Sequence, residues 1–426
     1  MADTMTVEPY KPTYRNYVLF VLFLGYVVNA LDRSILNILL PAIQEEFSLS
    51  YTQLGLLGGI AFALFYATCG IPIASLADRT SRKWILSGSI AFWSIMTAFC
   101  GLARSFPMLL AARIGTAIGE AGGSPPSHSL ISDYFSLKKR GTALSIYALG
   151  VPLGGMIGLY LGGHGNDWWG WRTTFIVAGL PGLIVALLVA FTVKEPKRAA
   201  PSSGKTYNPF SALQLVAKRP AFLHMALAAA MHALVWYGAG NFNAVFLVQT
   251  HAMTTSQVGT WFASIALVGA FGTFFGGFLS DQLSQKYNDE RFYMLVPGAS
   301  VILGLPFQLL CYLHPDTNIV MVGFAINAFF ASVFFGPSFA MAQALVPASN
   351  RALAASLLLF VQTMIGLGIG PLIAGMITDV FVPIFQANAL RYALVTIALF
   401  NIWSGVHYYL ASRTVREDIL SAKAEA

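Results

Sequence analysis

Charged side chains are what this sequence has least of. Asp, Glu, Lys and Arg make up 10% of its 426 residues, where an ordinary soluble domain carries about 25%. That scarcity argues against a soluble protein. The 56% of hydrophobic residues excludes a disordered or fibrous chain as well. Cysteine is nearly absent too: Cys69, Cys100 and Cys311 each lie in an apolar run, at spacings that suit neither a zinc site nor a disulfide framework. The seven histidines include no His-x-x-x-His pair, so no metal and no other cofactor is expected. A phosphate loop, a nucleophile elbow and an HExxH helix are all missing, which argues against an enzyme. No nucleotide-binding domain is present to drive transport by ATP. Residues 1–15 are polar, and the first apolar run is too long for a signal peptide.

What is present is apolar length. A helix needs about 20 apolar residues to cross the hydrocarbon. Twelve runs meet or approach that length, near 16–40, 52–77, 84–103, 107–132, 141–163, 171–193, 221–249, 257–280, 292–313, 318–346, 352–378 and 389–411. The expectation is an all-α membrane protein with 12 transmembrane helices in two six-helix halves, residues 1–193 and 220–426. The polar stretch Lys194–Arg219, with Pro196, Pro201, Gly204 and Pro209, reads as a cytosolic linker carrying a short helix from Pro209.

Positive charge sorts by loop. With the N-terminus inside, the inner segments hold 20 of the 25 lysines and arginines, and the outer loops hold Arg104, Arg172 and Arg391. Arg33 and Arg113 fall inside spans. Such a bias orients a membrane protein with both termini in the cytosol. It makes the +7 net charge a topology signal, with no nucleic-acid partner implied. A repeat supports the halves: Leu76-Ala77-Asp78 with Lys83 after span 2, and Leu279-Ser280-Asp281 with Lys286 after span 8, their aspartates 203 residues apart. Parallel six-helix halves occur in secondary transporters.

The loop Ala74-Ser-Leu-Ala-Asp78-Arg79-Thr-Ser-Arg82-Lys83 resembles the major facilitator signature G-x-L-A-D-R-x-G-R-K, with Ala74 and Ser81 where that family has glycine. The resemblance implies a conformational motif of Asp78, Arg79 and Arg82, with Asp281 as its counterpart and an Asp78–Arg82 clasp. Gly150-Val-Pro-Leu-Gly154-Gly155-Met-Ile-Gly158, with Gly162-Gly163, resembles the glycine-rich motif of antiporters in this superfamily, and Glu195-Pro196 after span 6 is another of its features. A narrower match, to the spinster family, rests on Leu31-Asp32-Arg33, on Ile90 to Ser94, and on Arg113 with Gly119-Glu120-Ala121. Leu144-Ser145-Ile146-Tyr147 and Arg291 to Gly298 add to it, while Ala117 departs from it. That resemblance implies transport of sphingolipids and lysophospholipids, some of it proton-coupled.

Ionisable groups inside a span cost roughly 2.5–3.5 kcal/mol each on insertion scales and are functional candidates by default. Here they are Asp32, Arg33, Arg113 and Glu120, all in the first half. Arg113 and Glu120 are seven apart and share a helix face, about 10 Å apart along the axis. The expected arrangement is an outer Asp32–Arg113 or Asp32–Arg33 pair with Glu120 about two turns below. A carboxylate that exchanges its arginine partner between conformations exchanges its proton affinity too, which makes Asp32 and Glu120 the proton-coupling candidates. Arg33, Arg113 and Tyr147 complete the substrate and charge network. A static network that only locks helices together is the competing reading. His128 reads as a packed polar residue, and Asp133 as part of the cytosolic charge clasp. In the second half Trp236, Tyr237, Phe330, Phe334 and Gln362 are expected to form an apolar cavity wall, and Gly366, Gly368, Gly370 and Pro371 mark where span 11 can bend.

The combined expectation is a multi-pass protein of the cell (inner) membrane. It is a secondary active transporter, monomeric and proton-coupled, moving an amphipathic lysolipid- or sphingolipid-like substrate by alternating access. The alternative is a proton-coupled symporter of a small organic anion such as a sugar acid. A third reading, a membrane receptor or scaffold, gives the buried acids no purpose. The topology is testable. A single cysteine placed at Lys205 is expected to resist an impermeant thiol reagent added to intact cells and to react once the membrane is opened; labelling in intact cells refutes the orientation.

Overall fold

The computed structural model describes residues 10–196, 216–347 and 350–424, apart from the side chains of residues 78, 137, 138, 352 and 423. Residues 197–215, most of the expected linker and its short helix, lie outside the described residues. Among the described residues the regular structure is helical throughout, with no strand. Nine helices among the described residues are long and apolar enough to cross a membrane. Two of these, Lys139–Thr192 and Leu353–Ala422, each hold two spans, and span 4 is broken into two pieces of 15 and 11 residues. The twelve expected spans are therefore all present as helix.

Span 1 is Pro12–Phe47, span 2 is Tyr51–Gly58 plus Ile60–Arg79, and span 3 is Arg82–Cys100. Span 4 is Phe106–Glu120 plus Ser124–Tyr134. Spans 5 and 6 run from Leu137 to Thr192 and reverse direction at Gly170, whose φ of 77° is a backbone conformation that favours glycine. Span 7 is Pro220–His251, span 8 Thr255–Tyr287 and span 9 Phe292–Leu313. Span 10 is Thr317–Ser332 plus Phe335–Ala344, and span 11 is Arg351–Val361, Gln362–Ile369 and Gly370–Phe385. Span 12 is Ala389–Ala398 plus Phe400–Ala424. The middle piece of span 11 is π-helix, at the glycines where a bend was expected.

The chain falls into two compact units. The first comprises Met1–Leu49, Ala61–Gly204 and Thr254–Ala263, and the second Ser50–Ile60, Lys205–Met253 and Ser264–Ala426. The opening turns of span 2 thus belong with the second unit, and those of span 8 with the first. Each unit has its own apolar core. Leu22, Ile90, Trp93, Tyr134 and Val189 are among the residues of one, and Phe222, Met294, Phe334, Leu358 and Tyr408 of the other.

Lipid is as apolar as leucine, so helices in a membrane associate through close packing and small residues. In the first unit the glycine-rich stretch of span 5 serves that purpose against span 1. A Cβ at Gly154 would lie 2.1 Å from the Val27 carbonyl oxygen, so any side chain there forces the two helices apart. A Cβ at Gly88 meets nothing within 4 Å. Gly154→Val is therefore expected to destabilise the detergent-solubilised protein by about 1–3 kcal/mol, the usual cost of overpacking, and Gly88→Ala to leave its melting temperature near that of the parent. Equal melting of both variants would show that the span 1–span 5 contact is loose.

Candidate functional site

The four span-buried ionisable groups lie within the first unit. Asp32 and Arg33 are consecutive on span 1, so their side chains leave the helix about 100° apart. Asp32 is fully buried, and its Oδ2 accepts a hydrogen bond from the Thr97 hydroxyl of span 3 at 3.1 Å. Arg33 points to another side, where its Nε donates to Glu120 Oε2 of span 4 at 2.6 Å. The Glu120 side chain is wholly buried, while that of Arg33 is 37% exposed. Span 2 supplies two rings one turn apart: the Arg33 guanidinium lies 5.2 Å from the centre of Phe62 and 4.8 Å from that of Tyr66. Arg113 lies 5.3 Å from the same Phe62 ring. Aromatic faces attract cations where water is excluded, so Phe62 holds two like charges near one acid.

This pairing corrects the arrangement expected from spacing. The ion pair is Arg33–Glu120, not Asp32–Arg33 or Asp32–Arg113. Adjacent residues on a helix diverge, and a long arginine side chain reaches past the level of its own Cα to an acid deeper in the unit. The shared face of Arg113 and Glu120 accordingly does not make Arg113 the acid's partner. Arg113 is 2% exposed, and its Nε and Nη1 have no hydrogen-bond partner among the described residues, nor has Asp32 Oδ1.

Glu120 is the last residue of its helix. The chain turns through Ala121–Gly123 and resumes at Ser124, with Pro125 and Pro126 in the new first turn, where proline lacks no bond the helix needs. The break follows directly on the acid. Tyr147 is brought elsewhere: it stacks on Tyr26 at 4.5 Å, meets His128 edge-on at 5.3 Å, and lines a cavity of about 10 Å³ with Asn29, Trp93, Ser124 and Ser127.

At the charge-rich end of the first unit, Arg82 donates to Asp133 at 2.5 Å and to Glu195 at 2.8 Å. Ser81 and the Lys83 amide also donate to Glu195. Burial pushes the Glu195 carboxyl up, and these bonds outweigh it, holding the group below the usual glutamate range. Asp133 thus joins the clasp. Arg79 ends its helix and is exposed, and the Asp78 side chain lies outside the described residues. In the second unit Asp281 accepts from the Tyr293 hydroxyl at 2.5 Å, and Asp289 pairs with Arg291 and Arg416 at 2.8 and 2.9 Å.

The second unit's aromatic set is mixed. Trp236 and Tyr237 are exposed, and Phe330 packs on Phe307 and Phe329. Phe334 is not on an open face. It sits in the unit's core with its ring edge-on to His232, and the exposed phenylalanine is its neighbour Phe335. Gln362 is buried at the start of the π-helix, with its Nε2 unpartnered among the described residues. Thr97, Phe62 and Tyr66 went unnoticed in the sequence. The i, i+4 spacing of the two rings on span 2 was a usable signal, whereas Thr97 had none.

The family profile described as Major Facilitator Superfamily matches residues 22–305 and 225–425. The chain belongs to that superfamily. It is therefore a multi-pass membrane transporter. The solved structure of a bacterial homologue of the human lysosomal transporter spinster is 33% identical, covers 96% of this chain and 99% of its own, and superposes with a TM-score of 0.86. An MFS-type efflux pump of Mycolicibacterium smegmatis is 28% identical over 98% of this transporter and 97% of its own length. The sphingosine-1-phosphate transporter SPNS2 of Danio rerio is 28% identical over 92% of this chain and 82% of its own. The hexuronate transporter of Bacillus subtilis is 26% identical over 85% and 87%. The spinster resemblance thus extends over nearly the whole transporter.

The ion pair yields a stability test. Arg33→Ala leaves the buried Glu120 uncompensated and is expected to cost about 3 kcal/mol, the low end for breaking a buried pair. Adding Glu120→Gln is expected to return most of that loss. The melting temperatures of the single and double variants decide it, and additive losses would mean that the two residues do not interact.

Proposed function

We propose that this transporter is a proton-coupled carrier of an amphipathic, anionic, lipid-like substrate, working by alternating access between two six-span halves, with both termini cytosolic in the inner membrane and the chain acting as a monomer. The observation that carries the reading is Arg113: a cation buried in the first unit, whose Nε and Nη1 have no acceptor among the described residues. A phosphate or carboxylate head group is the natural partner for such donors. Asp32 stands ready for the proton. One of its oxygens is held by Thr97 and the other has no partner. Protonation converts an oxygen that can only accept into one that donates, so proton binding changes what the cluster can hold. Glu120 exchanges with its arginine in the same sense: when the pair parts, the acid needs a proton in place of Arg33.

The second unit suits the rest of such a substrate. It places aromatic and small residues along its spans where the first unit places charge. An acyl chain gains about 0.8 kcal/mol per buried CH₂. The spinster and sphingosine-1-phosphate transporter likenesses support the lipid reading. The likeness to a hexuronate transporter supports the second one, a proton-coupled symporter of a sugar acid, in which Arg113 takes the carboxylate.

Reconstituted protein separates these. Asp32→Asn and Glu120→Gln are each expected to lower proton-driven uptake at least tenfold with folded yield retained. Binding of lysolipids is expected to tighten with acyl length. Equal affinity across the acyl series, or binding of sugar acids alone, overturns the lipid reading and leaves the small-anion one; normal proton-driven transport in both acid variants overturns the coupling.

A further inference from the structure

Two aspartates outside the charge network each cap the start of another span. Asp379, just past the buried part of span 11, accepts from the Tyr51 amide through Oδ1 at 3.0 Å and from the Thr52 amide through Oδ2 at 2.8 Å. Asp167, at the end of span 5 three residues before Gly170, accepts from the Thr255 hydroxyl through Oδ1 at 2.5 Å and from the Ser256 amide through Oδ2 at 3.1 Å. Tyr51 and Thr52 open span 2, and Thr255 and Ser256 open span 8. Spans 2 and 8 are the repeat partners marked by Asp78 and Asp281, and spans 5 and 11 hold equivalent places in the order of their halves. Neither aspartate belongs to a sequence motif.

The first amides of a helix have no acceptor within it. Both spans cover their later amides locally. Ser50 accepts from the Gln53 amide, whose side chain returns to the Ser50 amide; Thr254 and Gln257 make the same reciprocal pair. What remains is the first turn, and there a carboxylate from another span accepts from two amides at span 2 and from one amide and one hydroxyl at span 8, at the positive end of the helix dipole. Beneath each cap the helices touch as closely as backbone permits. A Cβ at Gly375 would lie 2.2 Å from the Tyr51 carbonyl oxygen, and one at Gly55 2.3 Å from that of Pro371. A Cβ at Gly163 would lie 2.4 Å from the Thr255 oxygen, and one at Gly259 2.4 Å from that of Leu159. These contacts explain why residues 50–60 group with the second unit and 254–263 with the first.

We propose that Asp379 and Asp167 are positioning residues of the transport cycle, a matched pair of latches that dock the starts of spans 2 and 8 on spans 11 and 5. The proposal rests on alternating access but not on the proton or the substrate. Its test needs neither. Thr378, fully buried beside Asp379, is replaced by cysteine in a chain whose three native cysteines are alanine, and its reaction with a maleimide is followed for the full-length protein in nanodiscs. Asp379→Ala is expected to speed the reaction about tenfold, which corresponds to ~1.4 kcal/mol of latch energy. Thr52→Pro removes one donor, leaves the carboxylate, and suits a helix's first turn; it is expected to speed the reaction too. The two changes together are expected to do no more than Asp379→Ala alone, the non-additivity of groups that share one contact. Asp167→Ala is expected to act likewise on a cysteine at the buried Val258. Should Asp379→Ala fail to fold, Asp379→Asn with Thr52→Pro carries the comparison. Unchanged reactivity in the Asp379 and Thr52 variants, or effects that add, overturns the latch. Loss of proton-driven or lipid transport with the labelling pattern intact bears on the substrate reading alone.

Discussion

The contact on which the site depends is the short bond between Arg33 and Glu120. A lone charge inside a membrane protein is costly, and removing one member of a buried pair is worse than never having had it. That asymmetry ties span 1 to span 4 at one depth. Phe62 and Tyr66 then have a defined place, since their faces are what the arginines meet where water is excluded. Asp32 and Arg113 are held by the same frame but are less satisfied. The span-buried cluster therefore contains one closed electrostatic contact, Arg33–Glu120, and, beside it, two groups with bonding capacity to spare. A site that binds and releases something needs both kinds of group.

Packing follows an equally strict rule. Between helices in lipid there is little gain from burying apolar surface, so the helices that must stay together do so through backbone approach. The glycines of span 5 serve span 1 along one face and the start of span 8 along another. The same residue type thus makes close backbone contact between spans 5 and 1 and, at the starts of spans 2 and 8, close contact beneath a capping carboxylate.

Much of this was legible from the sequence. Apolar length located the twelve spans, because crossing hydrocarbon imposes a minimum on every one. The cost of charge in a span singled out Asp32, Arg33, Arg113 and Glu120 for the same reason. Partner choice was not legible. Whether Glu120 meets Arg33 or Arg113 depends on how span 1 is rotated against span 4, and spacing along one helix carries no information about rotation against another. Phe334 shows the converse error: in a run of four phenylalanines around Val333, which ring enters the core is decided by His232 and the helices behind it. Asp167 and Asp379 look like ordinary loop acids until the helix starts they cap are brought beside them.

The π-helical piece of span 11 has a consequence of its own. A π turn holds one residue more than the α turn it replaces and closes its hydrogen bonds one residue further on. If the wide turn moves along the axis by one residue, each bond broken at its leading edge is matched by one made behind it. The part of the helix it has passed rotates by about 100° relative to the rest. Gly366 sits inside that piece and packs so closely on span 7 that a Cβ there would lie 2.6 Å from the Ala233 Cβ. Such a rotation would bring a residue with a side chain to the place of Gly366, where span 7 leaves no room for one, so the contact with Ala233 fixes where along span 11 the wide turn stands.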